Sequence, residues 1–297
     1  MPYRKRFPAR WAASAVAAFV ALSSLSLSQA GETITKTFEI DDVERRRTFR
    51  AHIHIPDARS DDSRILVVMH GKSRTAGNYL DVWKPFTNAQ GVILLVPEFA
   101  RQDWPSGRHY NWGNVLTKSR NVQKPRAVWS FSAMEEAVAI AAAATGANGE
   151  KFYLYGHSAG AQFVHRYVML TGGKRIIRAV AANAGYYLWP DEDRNYPYGT
   201  GLLKKDQIDW RSVFGTDLTI LIGENDNDPY AKSLRQNSNT RKQGSHRLER
   251  ARNFFSVSQE FARMNRFEFG WRLESVPGVG HINRRMAATA ARILFRP

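Results

Sequence analysis

Short apolar runs recur along the chain, and stretches with helical spacing separate them. The runs lie within RILVVMHG, GVILLVPEF, KFYLYG, IRAVAAN, DLTILIG and, more weakly, WRLESVPG. Apolar runs of this length are typical of strands that are buried on both faces of a sheet. A further segment at 48–56, TFRAHIHIP, alternates apolar and polar residues as an exposed or edge strand does.

Between the runs, apolar residues recur every three or four positions, which predicts helices. The predicted helices cover 76–84, 132–145, 159–170, 246–265 and 283–294. Strands that alternate with helices form β-α-β units, in which the strands run parallel and helices cover both faces of the sheet. The predicted fold class is therefore α/β, with a mostly parallel central sheet.

The first thirty residues have a different pattern. A basic start with Arg4, Lys5, Arg6 and Arg10 precedes an apolar, alanine-rich run, and Ser28-Gln29-Ala30 follows it. This order predicts a secretory signal peptide at 1–30, cleaved near Ala30, and a single catalytic domain at 31–297. The alternative is an uncleaved membrane anchor, but the run is short and serine-rich for a span of about 20 apolar residues. We therefore expect a secreted or periplasmic protein with no membrane span in its mature chain.

Composition and net charge limit the kinds of molecule that this protein is expected to bind. The chain has no cysteine, which excludes disulfides, and a net charge of +16, which suits anionic surfaces. Its densest basic stretch, KSLRQNSNTRKQGSHRLERAR from Lys232, is polar and lacks the interleaved aromatic residues that stack on bases. We interpret that stretch as a solvated basic loop and helix face, and we expect no specific nucleic-acid partner.

The sequence YGHSAGA places Ser158 between a predicted strand and a predicted helix. A G-x-S-x-G pattern alone is weak, but this strand-turn-helix context is the one that a nucleophilic serine requires. Gly156 and Gly160 relieve crowding on either side of the tight turn, and the helix N-terminus offers N–H groups beside the serine. The alternative interpretation is a turn of small residues that only packs a helix on the sheet.

A serine nucleophile needs a histidine base, itself oriented by a carboxylate, in the chain order serine, acid, histidine. His281 follows the last predicted strand in the glycine-rich loop VPGVGH and is the predicted base. Asp226 follows the preceding strand, in GENDND, and is the predicted acid, with Asp228 as the alternative. Simpler roles remain open, since a loop histidine can cap a helix and clustered aspartates can form Asx turns.

An oxyanion hole needs two N–H donors. One is expected from Ala159, directly after the serine, and the other from the loop that follows RILVVMHG. Lys72 is the predicted second donor, with Ser73 as the alternative.

Two long irregular segments, 97–115 and 185–201, follow predicted strands and therefore lie at the edge where α/β sheets bind ligands. Their aromatic residues are candidates to rim a cleft and contact substrate, although each is also a candidate for loop packing. The substrate-binding candidates are Trp104, Tyr110, Trp112 and Tyr187, with Tyr186 and Trp189 as further rim residues.

The motifs MHG, YGHSAG, GENDND and GVGH, in this order, resemble the α/β-hydrolase superfamily from about residue 64 to the C-terminus. The finer resemblance is to secreted bacterial esterases of the polyhydroxyalkanoate-depolymerase and feruloyl-esterase type. The resemblance implies a serine esterase that uses an acyl-enzyme, acts on small or polymeric esters, and needs neither metal nor cofactor. Such depolymerases often carry cysteines and polymer-binding modules, which this chain lacks.

The space after the sixth predicted strand is too short for a large lid, so we expect an open cleft. Two other functions stay open. A peptidase, amidase or acyltransferase would use the same three residues. A non-catalytic basic protein that binds the cell envelope would bind anionic polymers without turnover.

Overall fold

The computed structural model describes residues 31–41, 46–60, 62–119 and 121–297. The proposed signal peptide at 1–30 lies outside the described residues. The strands are β1 Thr33–Asp41, β2 Arg46–His54, β3 Arg64–Met69, β4 Ile93–Glu98, β5 Asn148–His157, β6 Ile176–Ala182, β7 Leu218–Gly223 and β8 Arg272–Val276. The helices are α1 Ala76–Asn88, α2 Ser130–Thr145, α3 Ala159–Thr171, α4 Trp210–Gly215, α5 Ser238–Arg241, α6 Arg247–Met264 and α7 Asn283–Leu294.

The eight strands form one sheet in the order β1-β2-β4-β3-β5-β6-β7-β8. β1, β2 and β4 pair antiparallel, and every pair from β4 through β8 is parallel. The prediction of a mostly parallel sheet is confirmed, and no lid covers the part of the fold that the structure describes.

The segment at 48–56 was predicted to be an exposed or an edge strand. β2 is the first of these, since its residues alternate between exposed and buried, but it is not at an edge because it pairs with both β1 and β4. The edge strand is β1, TITKTFEID, in which Ile34 and Phe38 alternate with polar residues and Lys36 interrupts the apolar face. β1 therefore covers the flank of β2 that would otherwise be open.

Helices pack on both faces because successive strand residues point to opposite sides. In β3, Ile65, Val67 and Met69 face the core that α2, α3 and α6 cover. Leu66 and Val68 face the opposite core, under α1 and α7. No helix among the described residues is long and apolar enough to cross a membrane.

Candidate active site

Ser158 lies in a strained turn between β5 and α3. Its φ is +59°, a left-handed conformation that is uncommon for a residue with a side chain. A Cβ at Gly156 would collide with the backbone of Gly160, and one at Gly160 with the carbonyl oxygen of Met69. The two glycines therefore let the turn approach α3 and β3 closely, and the serine is held partly exposed above the sheet.

Ser158, His281 and Asp226 form a hydrogen-bonded series that we call the serine row. His281 Nε2 lies 2.9 Å from Ser158 Oγ, and His281 Nδ1 lies 2.7 Å from Asp226 Oδ2. An ionised carboxylate only accepts, so the Nδ1–H donates to Asp226 and Nε2 is left to accept the serine proton. This arrangement can remove a proton from Ser158 as its oxygen attacks an electrophile.

The alternative acid, Asp228, has a different environment. Its carboxylate is exposed and accepts a hydrogen bond from the backbone N–H of Tyr230 at 2.8 Å, which is an Asx turn. Asp226 is 5% exposed. The structure thus brings Asp226, and not Asp228, to the imidazole of His281.

Arg247, on the first turn of α6, completes the surroundings of Asp226. Its Nη1 donates to Asp226 Oδ1 at 2.9 Å, and its Nη2 donates to Ser233 Oγ at 2.8 Å. Each oxygen of the carboxylate therefore has its own partner, one imidazole and one guanidinium. Arg247 is 2% exposed, so the prediction of a solvated basic stretch is wrong for this residue. Other basic side chains of the stretch are exposed, among them Lys232, Arg235 and Arg252.

Arg250, one turn further along α6, is also buried and corrects the same prediction. It donates to the carbonyl oxygens of Gly185, Arg235 and Gly244 at 2.8–2.9 Å. Burial lowers the pKa of its guanidinium to about 10. The side chain holds the loops before α6 against the C-terminal end of β6.

Asn183, directly after β6, forms hydrogen bonds with the two loops that carry Asp226 and His281. Its Oδ1 accepts from the N–H of Gly223 at 3.0 Å, and its Nδ2 donates to the carbonyl oxygen of Gly280 at 3.0 Å. The loops that carry Asp226 and His281 are thus fixed through one buried amide. Sequence reasoning missed both Asn183 and Arg247.

His157 underlies the imidazole of His281, with ring centroids 4.7 Å apart. Burial lowers the pKa of His157 well below its usual value, and the charge of a protonated His281 lowers it further. Tyr79 Oη lies 3.2 Å from His157 Nδ1. His157 therefore stays neutral and adds no positive charge beside His281.

The predicted oxyanion donors, Lys72 and Ala159, belong to two segments that meet at Ser158. Gly71, next to Lys72, is so close that a Cβ there would be 3.9 Å from Ser158 Cβ. The backbone N–H groups of Lys72 and Ala159 make no hydrogen bond within the described residues, so both are available to a ligand. The Lys72 carbonyl accepts from Arg101 at 2.6 Å.

Buried groups fix the backbone of the loop that carries Lys72. Arg74 donates to the carbonyl oxygens of Phe99, Trp104 and Ser106 at 2.8–3.3 Å. His70 Nε2 accepts from the N–H of Phe99 at 3.1 Å, and burial lowers the pKa of that histidine to about 3. Since neither side chain reaches solvent freely, the loop has a defined position beside Ser158.

Three of the four predicted substrate contacts lie in the core instead. Trp104 packs edge-on against Phe49 and Phe99 and is fully buried. Tyr110 donates to the carbonyl oxygen of His70 at 2.7 Å. Tyr187 stacks on Phe254 with centroids 4.4 Å apart.

These three side chains support the loops and offer no surface to a ligand, because each is 0% exposed. Tyr186 is also buried, at 3% exposure. Trp112 and Trp189 alone of the predicted rim are partly exposed.

The described residues contain no group of three or more side chains that could hold a metal ion.

Comparison with solved structures finds proteins that are similar over nearly the whole chain. Poly(aspartic acid) hydrolase-1 from Sphingomonas sp. KT-1 is 33% identical with a TM-score of 0.82, and the match covers 91% of this chain and 100% of that one. LpqC, a poly(3-hydroxybutyrate) depolymerase from Bordetella parapertussis, is 28% identical with a TM-score of 0.81, over 89% of both chains.

A more distant match, at 15% identity, shows the fold alone. It is an S-formylglutathione hydrolase from Agrobacterium tumefaciens, with a TM-score of 0.56 over 90% of this chain and 95% of that one. No family model matches the sequence, and no curated protein matches it either.

Proposed function

We propose that this chain, which belongs to the α/β-hydrolase family of serine hydrolases, hydrolyses carboxylic esters. In this proposal the reacting residues are Ser158, His281 and Asp226. The observation that carries the proposal is the serine row itself. Its two hydrogen bonds, of 2.9 and 2.7 Å, align a partly exposed hydroxyl, an imidazole and a buried carboxylate. Similarity to hydrolases and esterases supports the general activity.

The reaction follows from this geometry. Ser158 Oγ attacks the ester carbonyl carbon while His281 Nε2 takes the hydroxyl proton, and the Ala159 and Lys72 N–H groups stabilise the negative oxygen. The carbon–oxygen bond to the alcohol breaks, and the alcohol leaves with the proton from His281. Water, deprotonated by His281, then attacks the acyl-serine and releases the carboxylic acid and free Ser158.

The neighbours of the row suit these steps. Asp226 holds the imidazole and offsets its positive charge, and Arg247 fixes the second carboxylate oxygen at 2.9 Å so that Asp226 cannot turn away. The neutral His157 avoids repulsion when His281 becomes charged.

The test is pre-steady-state hydrolysis of a 4-nitrophenyl ester. We expect a burst of one nitrophenol per enzyme, followed by a slower steady rate, because acylation and deacylation are separate steps. Ser158→Ala should lower kcat by about 10⁶-fold. A rate for that variant within tenfold of wild type would contradict the proposal, and a non-catalytic binding protein would give no turnover in either protein.

A second candidate activity is amide hydrolysis. The relative at 33% identity is named for poly(aspartic acid), whose units are joined by amide bonds, whereas the one at 28% is named for a polyester. Matched 4-nitrophenyl esters and 4-nitroanilides of the same acids decide between them. A larger kcat/KM for the anilides, relative to their slower uncatalysed hydrolysis, would assign the amide activity.

We further propose that residues 31–297 are one secreted catalytic domain, released by cleavage near Ala30. The support is the basic, apolar and small-residue order of the first thirty residues. N-terminal sequencing of the protein exported from a bacterial host should begin at or near Gly31. Intact Met1 on a protein retained in the cytoplasm would contradict this proposal.

A further inference from the structure

One wall of the cleft combines exposed positive charge with aromatic rings. The guanidinium carbon of Arg235 lies 5.5, 5.8 and 5.9 Å from the ring centroids of Trp112, Tyr186 and Tyr198. Arg235 is exposed, and no Asp or Glu among the described residues pairs with it. The three rings restrict the guanidinium by cation–π attraction while leaving its N–H groups to solvent.

A second guanidinium also lies close to the ring of Tyr186. Arg166, on α3, is fully buried, and its guanidinium carbon lies 5.1 Å from the Tyr186 centroid. It donates to the carbonyl oxygens of Gln162 at 2.9 Å and Pro197 at 3.0 Å. Its Nε has no hydrogen-bond partner, and no carboxylate within the described chain pairs with it.

Two unpaired guanidinium groups thus share one tyrosine ring. Burial lowers the pKa of Arg166. A negative group bound to the exposed side of Arg235 would offset the repulsion between the two guanidinium groups, so this arrangement favours an anionic ligand there. We call Arg166, Arg235, Trp112, Tyr186 and Tyr198 the cationic wall.

The cationic wall is joined to the serine row at both ends. Gln162, one helical turn after Ser158, accepts a hydrogen bond from Asn111, which precedes Trp112, at 3.0 Å. At the other end, Ser233 precedes Arg235 by two residues and accepts from Arg247, the partner of Asp226. The loops of the wall and of the row are therefore in contact, and both follow the C-terminal ends of the parallel strands.

We propose that Arg235 binds a carboxylate of the substrate, on its acyl or its alcohol part and several bonds from the scissile carbonyl, so that the enzyme prefers anionic esters. The planar guanidinium matches a carboxylate with two parallel hydrogen bonds, and Trp112 supports its position. The inference rests on the proposed hydrolytic function and adds the substrate class. It also gives the net charge of +16 a role in attracting such substrates to the cleft.

The experiment compares pairs of esters that differ only in one carboxylate. The first series pairs the 4-nitrophenyl monoesters of glutaric, adipic and suberic acids with 4-nitrophenyl pentanoate, hexanoate and octanoate. The second places the carboxylate in the leaving group, as in 3-carboxy-4-nitrophenyl hexanoate. Spontaneous hydrolysis is subtracted, and kcat/KM is measured for wild type, Arg235→Gln and Arg235→Lys.

We expect wild type to prefer the anionic member of at least one pair by about 10- to 100-fold, the range of a hydrogen bond between charged groups. Arg235→Gln should remove that preference by lowering kcat/KM for the anionic esters far more than for the neutral ones, while Arg235→Lys keeps part of the preference. Arg252→Gln, which removes an exposed charge on α6 away from the three rings, should leave the preference intact. The preference should also fall as NaCl rises.

Two outcomes overturn the inference without touching the proposed function. One is hydrolysis of the neutral esters with no anionic preference in any pair. The other is an equal loss on both members in Arg235→Gln. Absence of hydrolysis of every ester by wild type would overturn the proposed function together with the inference.

Discussion

Buried arginines lie at both ends of the cleft, but they have opposite surroundings. Arg247, beside the serine row, pairs with the buried carboxylate of Asp226 at 2.9 Å. Arg166, in the cationic wall, donates only to carbonyl oxygens and lies against a ring that also contacts exposed Arg235. The positive charge beside the serine row is therefore paired with a carboxylate, whereas the positive charge of the cationic wall is not.

The difference separates two tasks. Groups that move a proton need a fixed geometry, and a charge with its own partner supplies it. Groups that recognise a ligand must leave part of their bonding capacity unused until the ligand arrives. The same residue type therefore positions the reaction at one end of the cleft and, in our proposal, selects the substrate at the other.

The largest expected effect is the loss of kcat when Asp226, the carboxylate of the paired end, is replaced. Asp226→Asn should lower kcat by about 10⁴-fold, because an amide in place of the carboxylate favours the wrong histidine tautomer and no longer offsets the imidazolium charge. Asp228→Asn is the matched control and should change kcat less than twofold, since its carboxylate only closes an Asx turn. Steady-state ester hydrolysis measures both, and equal losses would reject Asp226 as the acid.

Arg247→Met tests how much the pairing contributes to stability. Removing one partner of a buried pair leaves Asp226 with an uncompensated charge and should cost about 3–5 kcal/mol of unfolding free energy. Arg247→Lys keeps the charge and should cost less. Urea unfolding measures both variants, and a loss below about 1 kcal/mol for Arg247→Met would show that the pair is not important for stability.

Arg166→Met gives the matching measurement of unfolding free energy for the arginine that has no carboxylate partner. This substitution leaves no buried charge behind, so we expect a smaller loss of about 1–3 kcal/mol from the broken hydrogen bonds to carbonyl oxygens. The same urea experiment applies. A loss larger than that of Arg247→Met would contradict the view that the two arginines differ in their compensation.

The smallest expected effect on stability is that of pH, through three buried histidines that stay uncharged in the folded protein. Burial lowers the pKa of His70 to about 3, and lowers those of His157 and His165 well below 6.5. Protonation therefore favours the unfolded chain, so this stability is present above pH 6.5 and is lost as the pH falls toward the folded pKa values.

Each of these histidines should contribute a loss of about 1.4 kcal/mol per pH unit below 6.5. His165→Gln should reduce the slope of unfolding free energy against pH by that amount. An unchanged slope between pH 6.5 and 4.5 would contradict the neutral state of His165.

The parallel part of the fold was predictable because its signals are local. The pattern predicts α7 at the observed bounds, Asn283–Leu294, and gives α3 and α6 within one or two residues. β1 was missed, since Lys36 interrupts its apolar face and its pairing with β2 depends on a segment outside its own sequence. β2 was predicted to be an exposed or an edge strand, and its own alternation could not show that β1 and β4 pair with both of its sides.

The residues of the candidate site also fall into those that local sequence signals predicted and those that depend on tertiary packing. The contacts of Ser158, His281 and Asp226 lie where strand ends and chain order place them, since the residues follow β5, β8 and β7. Arg247 was missed because its contact with Asp226 depends on how α6 docks on the sheet. Trp104 and Tyr110 were taken for rim residues, because long loops read as exposed and their burial depends on Phe99 and Phe163.

Covalent labelling by a fluorophosphonate, followed by intact mass measurement and peptide mapping, tests most directly whether Ser158 is the nucleophile. We expect one adduct per chain, on Ser158, and no adduct in Ser158→Ala. Equal labelling of wild type and Ser158→Ala, or an adduct on another residue such as Ser73, would contradict that assignment.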